Sequence, residues 1–336
     1  MSTQEEAEQR KAKLDANKRR LVEELMRRKR AAAGQVEPTP SREVVLTEAQ
    51  FGAGTGEGEG EAKQEMREFY NRVSTQLDAG LTKEHALFLN FGYVPNDNPQ
   101  RAIVRLPDKR VNRNTIRLVL ELVGDAPLRP TDRVLDVGCG RGGTISVLRE
   151  FFQVGPVVGL DLSSVAIASN RARLQDERTT FIEGDAEALP FEDDSFDVVT
   201  NVESSHAYPN CGDFYEGVAR VLRPDGLFLY TDMLAREHLA KREQKLAELG
   251  FVCERRQDIT ANVLLSCDET ARVNLRTFSS QNDRSLLERF LGAPNSDFYN
   301  AMKQGDQRYM LYRYRYRPAD LPREEGASRE TMGDAR

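Results

Sequence analysis

Cysteine is scarce in this chain. Its four residues, Cys139, Cys211, Cys253 and Cys267, are widely spaced and form no C-x-x-C pair, and 336 residues suffice to bury a sizeable core without disulfide staples. A reducing, cytoplasmic setting is expected. No uninterrupted apolar run approaches the roughly 20 residues that a membrane span requires, and the start of the chain, charged from Glu5 onward, has no apolar h-region. Neither insertion nor secretion is predicted. Positive charge is not in excess: 48 Lys and Arg stand against 54 Asp and Glu, a net charge of −6. Nothing therefore draws the whole chain to nucleic acid or to an anionic membrane, and the expected partner is a small molecule or a protein. Histidine is rarer still, with His85, His206 and His238 the three in the chain.

What is present divides into five stretches. Residues 1–33, with "KLDANKRRLVEELMRRKR" at their centre, read as one long charged helix. Leu14, Leu21, Val22, Leu25 and Met26 draw a narrow apolar stripe along it, so it is either a solvated extension or a docking or dimerising helix. Its basic clusters are interleaved with glutamates and lack aromatics, which argues against nucleic acid. Residues 34–63 are Pro-rich and then Gly/Glu-rich, the composition of a flexible linker. Residues 64–111 hold a helix pattern stopped by Gly80 and an apolar patch, "HALFLNFGYVPNDNP", and read as an N-terminal helical lid. Residues 319–336 read as a disordered tail.

Between 112 and 318 the pattern alternates. Amphipathic helices such as "NRNTIRLVLELVGD" lead to short apolar strands: "RVLDVG", "VVGLD", "TTFIEGDA", "FDVVTNV", "LFLYTDM" and "FVCERRQDI". Continuous apolar strands between period-3.6 helices are the signature of a parallel sheet covered on both faces, hence an α/β, Rossmann-like doubly wound core. The last strand pattern, "RYMLYRYRY", alternates Tyr312, Tyr314 and Tyr316 with Arg313 and Arg315, as a half-covered strand does.

The stretch "VLDVGCGRGG" sits between the first core strand and its helix, at the edge of the sheet where open α/β folds bind ligands. Gly138, Gly140 and Gly143 satisfy G-x-G-x-x-G, so a nicotinamide or flavin dinucleotide has to be weighed. Asp136 argues otherwise, because a carboxylate just before the glycines suits a cationic group better than a pyrophosphate. Asp161 ends the second strand, where it can hold ribose hydroxyls, and Asp185 ends the third. A ligand with a ribose, a purine and a positive centre satisfies all three acids.

In order and spacing, "LDVGCGRGG", "GLDLS", "GDAEALPFEDDSFDVV" and "ARVLRPDGLFLYTD" resemble the successive motifs of class I S-adenosylmethionine-dependent methyltransferases. More narrowly, "FLNFGYVP", "NVESSHAYP" and "RYMLYRYRY" are similar to the phthiotriol and phenolphthiotriol dimycocerosate methyltransferases and to O-methyltransferase domains of bacterial polyketide synthases. The resemblance implies a seven-stranded sheet and S-adenosyl-L-methionine as cofactor. Gly138, Cys139 and Gly140 would then lie against its methionine portion, with Asp136 on the amino group. Asp161 would take the ribose, Leu162 would pack on adenine, Asp185 would accept from the adenine amino group beside the backbone of Ala186, and Asn201 would close the site.

His206 follows the fourth strand, beside the first, and is the candidate general base for deprotonating an acceptor hydroxyl. Its alternative is a strand-ending residue bonded to backbone. Glu203, three positions earlier, is the candidate for fixing the imidazole tautomer, as the resemblance supports a His and Glu pair. Tyr70, Asn90, Phe91 and Tyr93 are assigned to the lid, with Tyr93 and Tyr208 shaping the acceptor pocket and Phe298 and Tyr299 closing its other side. No metal is expected, since the chain lacks the carboxylate cluster of a Mg²⁺-dependent catechol enzyme. The expected activity is O-methylation of a polyketide-like or lipidic secondary metabolite, free or carried on an acyl carrier protein. C-methylation of an activated carbon, or a cofactor-binding docking domain in an assembly line, are the alternatives.

Overall fold

The apolar runs become strands because each is flanked by helices whose inward stripes cover it. The computed structural model describes residues 59–80, 87–95, 104, 106–107, 109–274 and 292–318. The helix expected over 1–33, His85 and the 319–336 tail lie outside the described residues.

In chain order the elements begin with α1 (Glu59–Gly80), α2 (Arg113–Val123), β1 (Val134–Val137), α3 (Gly143–Phe151), β2 (Val157–Asp161), α4 (Ser164–Leu174) and β3 (Thr179–Glu183). They continue with β4 (Phe196–Val202), a 3₁₀ turn (Ser205–Ala207), α5 (Cys211–Val221), β5 (Leu222–Ala235), a second 3₁₀ turn (Arg236–His238), α6 (Leu239–Glu248) and β6 (Phe251–Asp258). α7 (Thr260–Asn274), α8 (Asp297–Gln304) and β7 (Gln307–Tyr316) complete them. The seven strands form one sheet in the order β3-β2-β1-β4-β5-β7-β6, parallel except for β7, which runs antiparallel to both neighbours.

The pleat sorts side chains to two faces. Val134, Val198, Leu227 and Leu229 join α2, α3 and α7 through Leu118, Ile145 and Val263 on one face. Leu135, Val137, Val199, Phe228 and Tyr230 join α5 and α6 through Phe214, Val218 and Leu246 on the other. β7 lies inside the sheet, between β5 and β6. Its Tyr312 and Tyr314 stand opposite Tyr230 and Phe228 in register, with the Tyr230 and Tyr312 rings stacked at 5.8 Å. Arg313 and Arg315 point to the other face, Arg313 reaching Asp125 at 2.8 Å. β5 is longer than "LFLYTDM" because it begins at Leu222 opposite Phe196, crosses the irregular Pro224-Asp225-Gly226 corner and re-registers with Leu227 opposite Val198.

α1 begins at Glu59, inside the Gly/Glu stretch read as linker. The helix gains what that composition lacks from tertiary ion pairs: Lys63 Nζ is 2.8 Å from Asp185 and 2.5 Å from Glu187. Further along, Asn71 Oδ1 accepts from Ser163 Oγ at 2.7 Å and from Val165 N at 3.3 Å, at the start of α4. Arg141, a buried guanidinium beside the glycine loop, pairs with Asp78 near the helix end. These contacts lay α1 along the carboxyl edge of β1, β2 and β3.

Removing one member of the Arg141–Asp78 pair leaves a buried charge short of a partner, but Asp78 is 43% exposed, so solvent screens part of the loss. Asp78→Asn is expected to lower unfolding stability by about 1–2 kcal/mol in urea titration. An unchanged transition midpoint would show that the pair does not seat the helix.

Candidate active site

The connection from β1 runs outward to β2 and β3, while β4 lies on the other side of β1, so the crevice opens where the sheet order reverses. The glycine loop leaves β1 here. Gly138 has φ 68° and Gly140 φ 48°, both in the left-handed region that favours glycine. A Cβ on Gly138 would collide with Ser204 and come within 2.7 Å of the Tyr208 hydroxyl, so the loop requires glycine for close approach as well. Asp161 ties the loop to β2, accepting Gly140 N at 2.7 Å on one oxygen and Ser163 N at 2.8 Å on the other. Burial raises its pKa against those two backbone donors.

Asp136 is 1% exposed. Its Oδ1 accepts from Thr200 Oγ1 at 2.6 Å, while Oδ2 has no hydrogen-bond partner among the described residues. Burial first, and the nearby Asp161 charge after it, push the carboxyl up to about 7. Asn201 donates to Val137 O at 2.9 Å and to Tyr208 Oη at 3.2 Å, and its Oδ1 is likewise without a partner. Two buried acceptors in want of a donor, beside a glycine bend, fit the ammonium end of S-adenosylmethionine. The pieces read from the sequence as cofactor-binding, Asp136, Gly138, Cys139, Gly140, Asp161 and Asn201, are brought together here. Leu162, Asp185 and Ala186 line the adjoining edge at β2 and β3. Asp185 Oδ1 takes Glu187 N at 2.9 Å and Oδ2 takes Lys63 Nζ, a partner the sequence reading withholds by placing Lys63 in the linker.

His206 sits on the 3₁₀ turn with its side chain 13% exposed. Its Nδ1 is 2.7 Å from Oδ1 of Asp232, a fully buried residue of β5, and its backbone N donates to Oδ2 at 2.9 Å. Asp232 also accepts Met233 N at 2.8 Å and Ser205 Oγ at 2.7 Å. Burial works to raise this carboxyl, yet the adjacent imidazole charge and the donors around it hold it below the ordinary carboxylate value. An ionised carboxylate accepts only, so the proton lies on Nδ1 and the lone pair on Nε2.

Asp232, then, takes the tautomer-fixing position on Nδ1 that the sequence reading gave to Glu203. The reason is local. Val202 pairs with Thr231, so the next residue of β5 comes under the returning turn, while Glu203 has a left-handed backbone, φ 53°, that turns its side chain elsewhere. Glu203 Oε2 accepts from Phe91 N and from Tyr309 Oη, each at 2.8 Å. Burial pushes its carboxyl up to about 8, despite the opposing His206 charge and these two bonds. Asp232 carries one faint sequence signal, an acid inside the apolar run "LFLYTDML".

Tyr93 is buried with its phenol in the field of Glu121 and Arg255, and Phe91 lies 6.4 Å from the Tyr309 ring. Tyr208 lies under the glycine loop, its hydroxyl 2.7 Å from Ser204 Oγ, where it supports the cofactor side. Phe298 stands 6.3 Å from the His206 ring, whereas the Tyr299 hydroxyl turns to Asp268 at 2.9 Å. His238 lies 3.7 Å from Glu237 on the second 3₁₀ turn. Among the described residues no group of three or more His, Cys, Asp or Glu is placed to hold a metal.

Residues 135–230 match a family model described as a methyltransferase domain. A fatty-acid O-methyltransferase of Mycolicibacterium smegmatis is 35% identical over 237 residues, 69% of this chain and 84% of that protein. A phthiotriol/phenolphthiotriol dimycocerosates methyltransferase of Mycobacterium tuberculosis is 32% identical over 245 residues, 69% and 86% of the two chains. Among solved structures, a geranyl diphosphate C-methyltransferase from Streptomyces coelicolor shares the fold, with TM-score 0.55 at 15% identity over 76% of this chain and 98% of that one.

Glu203 keeps its proton to about 8 in the folded chain but loses it near 4.5 when exposed, so folding holds a proton between those values and stability falls as pH rises through that window. Glu203→Gln retains a carbonyl to accept both hydrogen bonds and abolishes the titration. It is expected to raise Tm at pH about 7.5, by the equivalent of a few kcal/mol, and to flatten the stability profile from pH about 5 to 8. Parallel profiles for the two proteins would contradict the buried, protonated acid.

Proposed function

The chain belongs to the S-adenosylmethionine-dependent methyltransferases, and from that premise we propose that it methylates a hydroxyl of a lipidic, polyketide-like acceptor with His206 as general base. The observation that carries this reading is the 2.7 Å contact between His206 Nδ1 and the buried Asp232 at the mouth of the cofactor crevice. When bound, S-adenosylmethionine supplies an electrophilic methyl group on a sulfonium. Asp136, Asn201, Gly138 and Gly140 would hold its amino acid end, Cys139 would lie between them, Asp161 would take the ribose, and Leu162, Ala186 and Asp185 would face adenine. His206 Nε2 would accept the hydroxyl proton as the acceptor oxygen attacks, and Asp232 would stabilise the imidazolium that forms.

The chemistry around the imidazole supports a neutral hydroxyl. The ionised Asp232 carboxylate beside His206 disfavours an anionic acceptor, and an alcohol requires a base where a carboxylate does not. Phe91 and Phe298 offer apolar surface beside the imidazole, and the relatives named for fatty acids and for phthiotriol dimycocerosates support a lipidic body for the acceptor. Among the described residues no helix is long and apolar enough to cross a membrane. On this reading residues 64–111 cover the acceptor held by the domain of 112–318, and the helix expected over 1–33 serves self-association or docking beside a carrier-bound substrate in the cytoplasm.

A panel of hydroxylated lipids and polyketides, free and carrier-bound, assayed with labelled methyl donor, tests the reading. Methyl ethers are the expected products. His206→Ala is expected to lower kcat by about 10²- to 10⁴-fold with donor affinity unchanged, as loss of a general base does. Full turnover in that variant, or methylation confined to carbon, would refute it.

A further inference from the structure

A line of polar groups leads from the Asp232 carboxylate into the interior, and the reaction outlined above leaves it without a task. Ser205 Oγ donates to Asp232 Oδ2 at 2.7 Å and lies 2.6 Å from the Tyr230 hydroxyl. That hydroxyl is 3.3 Å from the Tyr215 hydroxyl, which accepts from Arg242 Nη1 at 3.1 Å. The same guanidinium nitrogen is 3.1 Å from Cys211 Sγ. All five side chains are buried. Arg242 is the odd member of its helix: Leu239, Arg242 and Leu246 form the buried stripe of α6, and the middle of such a stripe is ordinarily apolar. Burying a cation there is costly unless it is well partnered.

The two ends of the line fix its direction. A guanidinium only donates and an ionised carboxylate only accepts. Tyr215, receiving from Arg242, turns its own proton to Tyr230, Tyr230 passes its proton toward Ser205, and Ser205 donates to Asp232. We propose that Arg242 is a positioning residue for the methyl transfer, aligning through Tyr215, Tyr230 and Ser205 a one-way hydrogen-bond chain onto Asp232 Oδ2. The chain occupies Oδ2 together with the His206 backbone N–H, leaves Oδ1 to the imidazole N–H and Met233 N, and tempers the pull of the carboxylate on the imidazole proton, so that His206 is available as a base near neutral pH. The proposal rests on the reading of His206 as that base.

The other groups facing the pair do not supply this charge. Burial raises the phenols of Tyr70 on α1, Tyr208 after the 3₁₀ turn and Tyr309 on β7, and those of Tyr230 on β5 and Tyr215 on α5, the last to about 12. Cys211 on α5 is pushed by burial to about 11 and Glu203 to about 8, so both are neutral at pH 7. Of the groups named, Arg242 alone is a cation, and it acts to keep Asp232 ionised.

The chain has three histidines, so NMR of the imidazole-labelled protein can follow His206, assigned by the signal lost in His206→Gln. Arg242→Met removes a cation and loosens a donor to Asp232, and both changes leave more negative charge facing the imidazolium. The His206 titration midpoint is expected to rise by about half a pH unit or more, and the acid limb of kcat/KM to rise with it. Tyr230→Phe breaks the chain with the cation retained and is expected to shift the midpoint upward by less, while Arg242→Lys restores most of the original value. A midpoint that stays or falls in the folded Arg242→Met and Tyr230→Phe proteins overturns the proposal, whatever their melting temperatures. Where Arg242→Met does not fold, the sign of the Tyr230→Phe shift decides. The titration reads the chain without turnover, whereas survival of turnover in His206→Ala strikes the base assignment, so the two failures are told apart.

Discussion

Four carboxyl groups, Asp136 and Asp232 fully buried and Asp161 and Glu203 partly so, crowd one crevice, and the cost of keeping them there organises everything near it. Each meets that cost differently. Asp232 stays ionised because the imidazole and three further donors surround it, and Asp161 holds two backbone N–H groups of the loop and the α4 start. Glu203 and Asp136 instead keep their protons, to about 8 and about 7. The difference assigns their tasks. An ionised acid can orient and stabilise an imidazolium, a protonated one can pin the Phe91 segment to β7, and a half-satisfied one waits for a cation.

The fold makes this crowding possible. The strand order reverses between β1 and β4, so that Asp136 on one strand and the turn after the other share an edge, and β5 beside β4 delivers Asp232 under His206. β7, inserted antiparallel next to β5, brings Tyr309 to Glu203 from the far side. α1 closes the opposite flank through Lys63, Asn71 and Asp78. The glycine loop with Tyr208 beneath it and the turn that carries His206 are therefore held by different elements.

Much of this was legible in the sequence. Acids ending short apolar runs, glycines after the first run and the period-2 Tyr/Arg strand are local patterns, and each follows from a backbone geometry that a few residues determine. The partnerships were less so. Asp232 sits within an apolar strand at no motif spacing from His206, and only the register of β4 against β5 joins them. Nothing in the sequence pairs Glu203 with Phe91 and Tyr309, because a left-handed backbone directs its side chain to them. Lys63 was hidden by a Gly/Glu-rich composition that tertiary ion pairs override, and Tyr93 differs from Phe91 by the direction its side chain takes from an irregular segment.

If the crevice is the negatively charged socket proposed above, Asp136 gives up a proton when a cation arrives. Calorimetry of S-adenosylmethionine binding at pH about 6.5, repeated in buffers of different ionisation enthalpy, measures this directly. Binding is expected with net proton release, visible as a heat that varies with the buffer and loses that variation in Asp136→Asn. Heat independent of the buffer in the unaltered protein, or no binding at all, would contradict it.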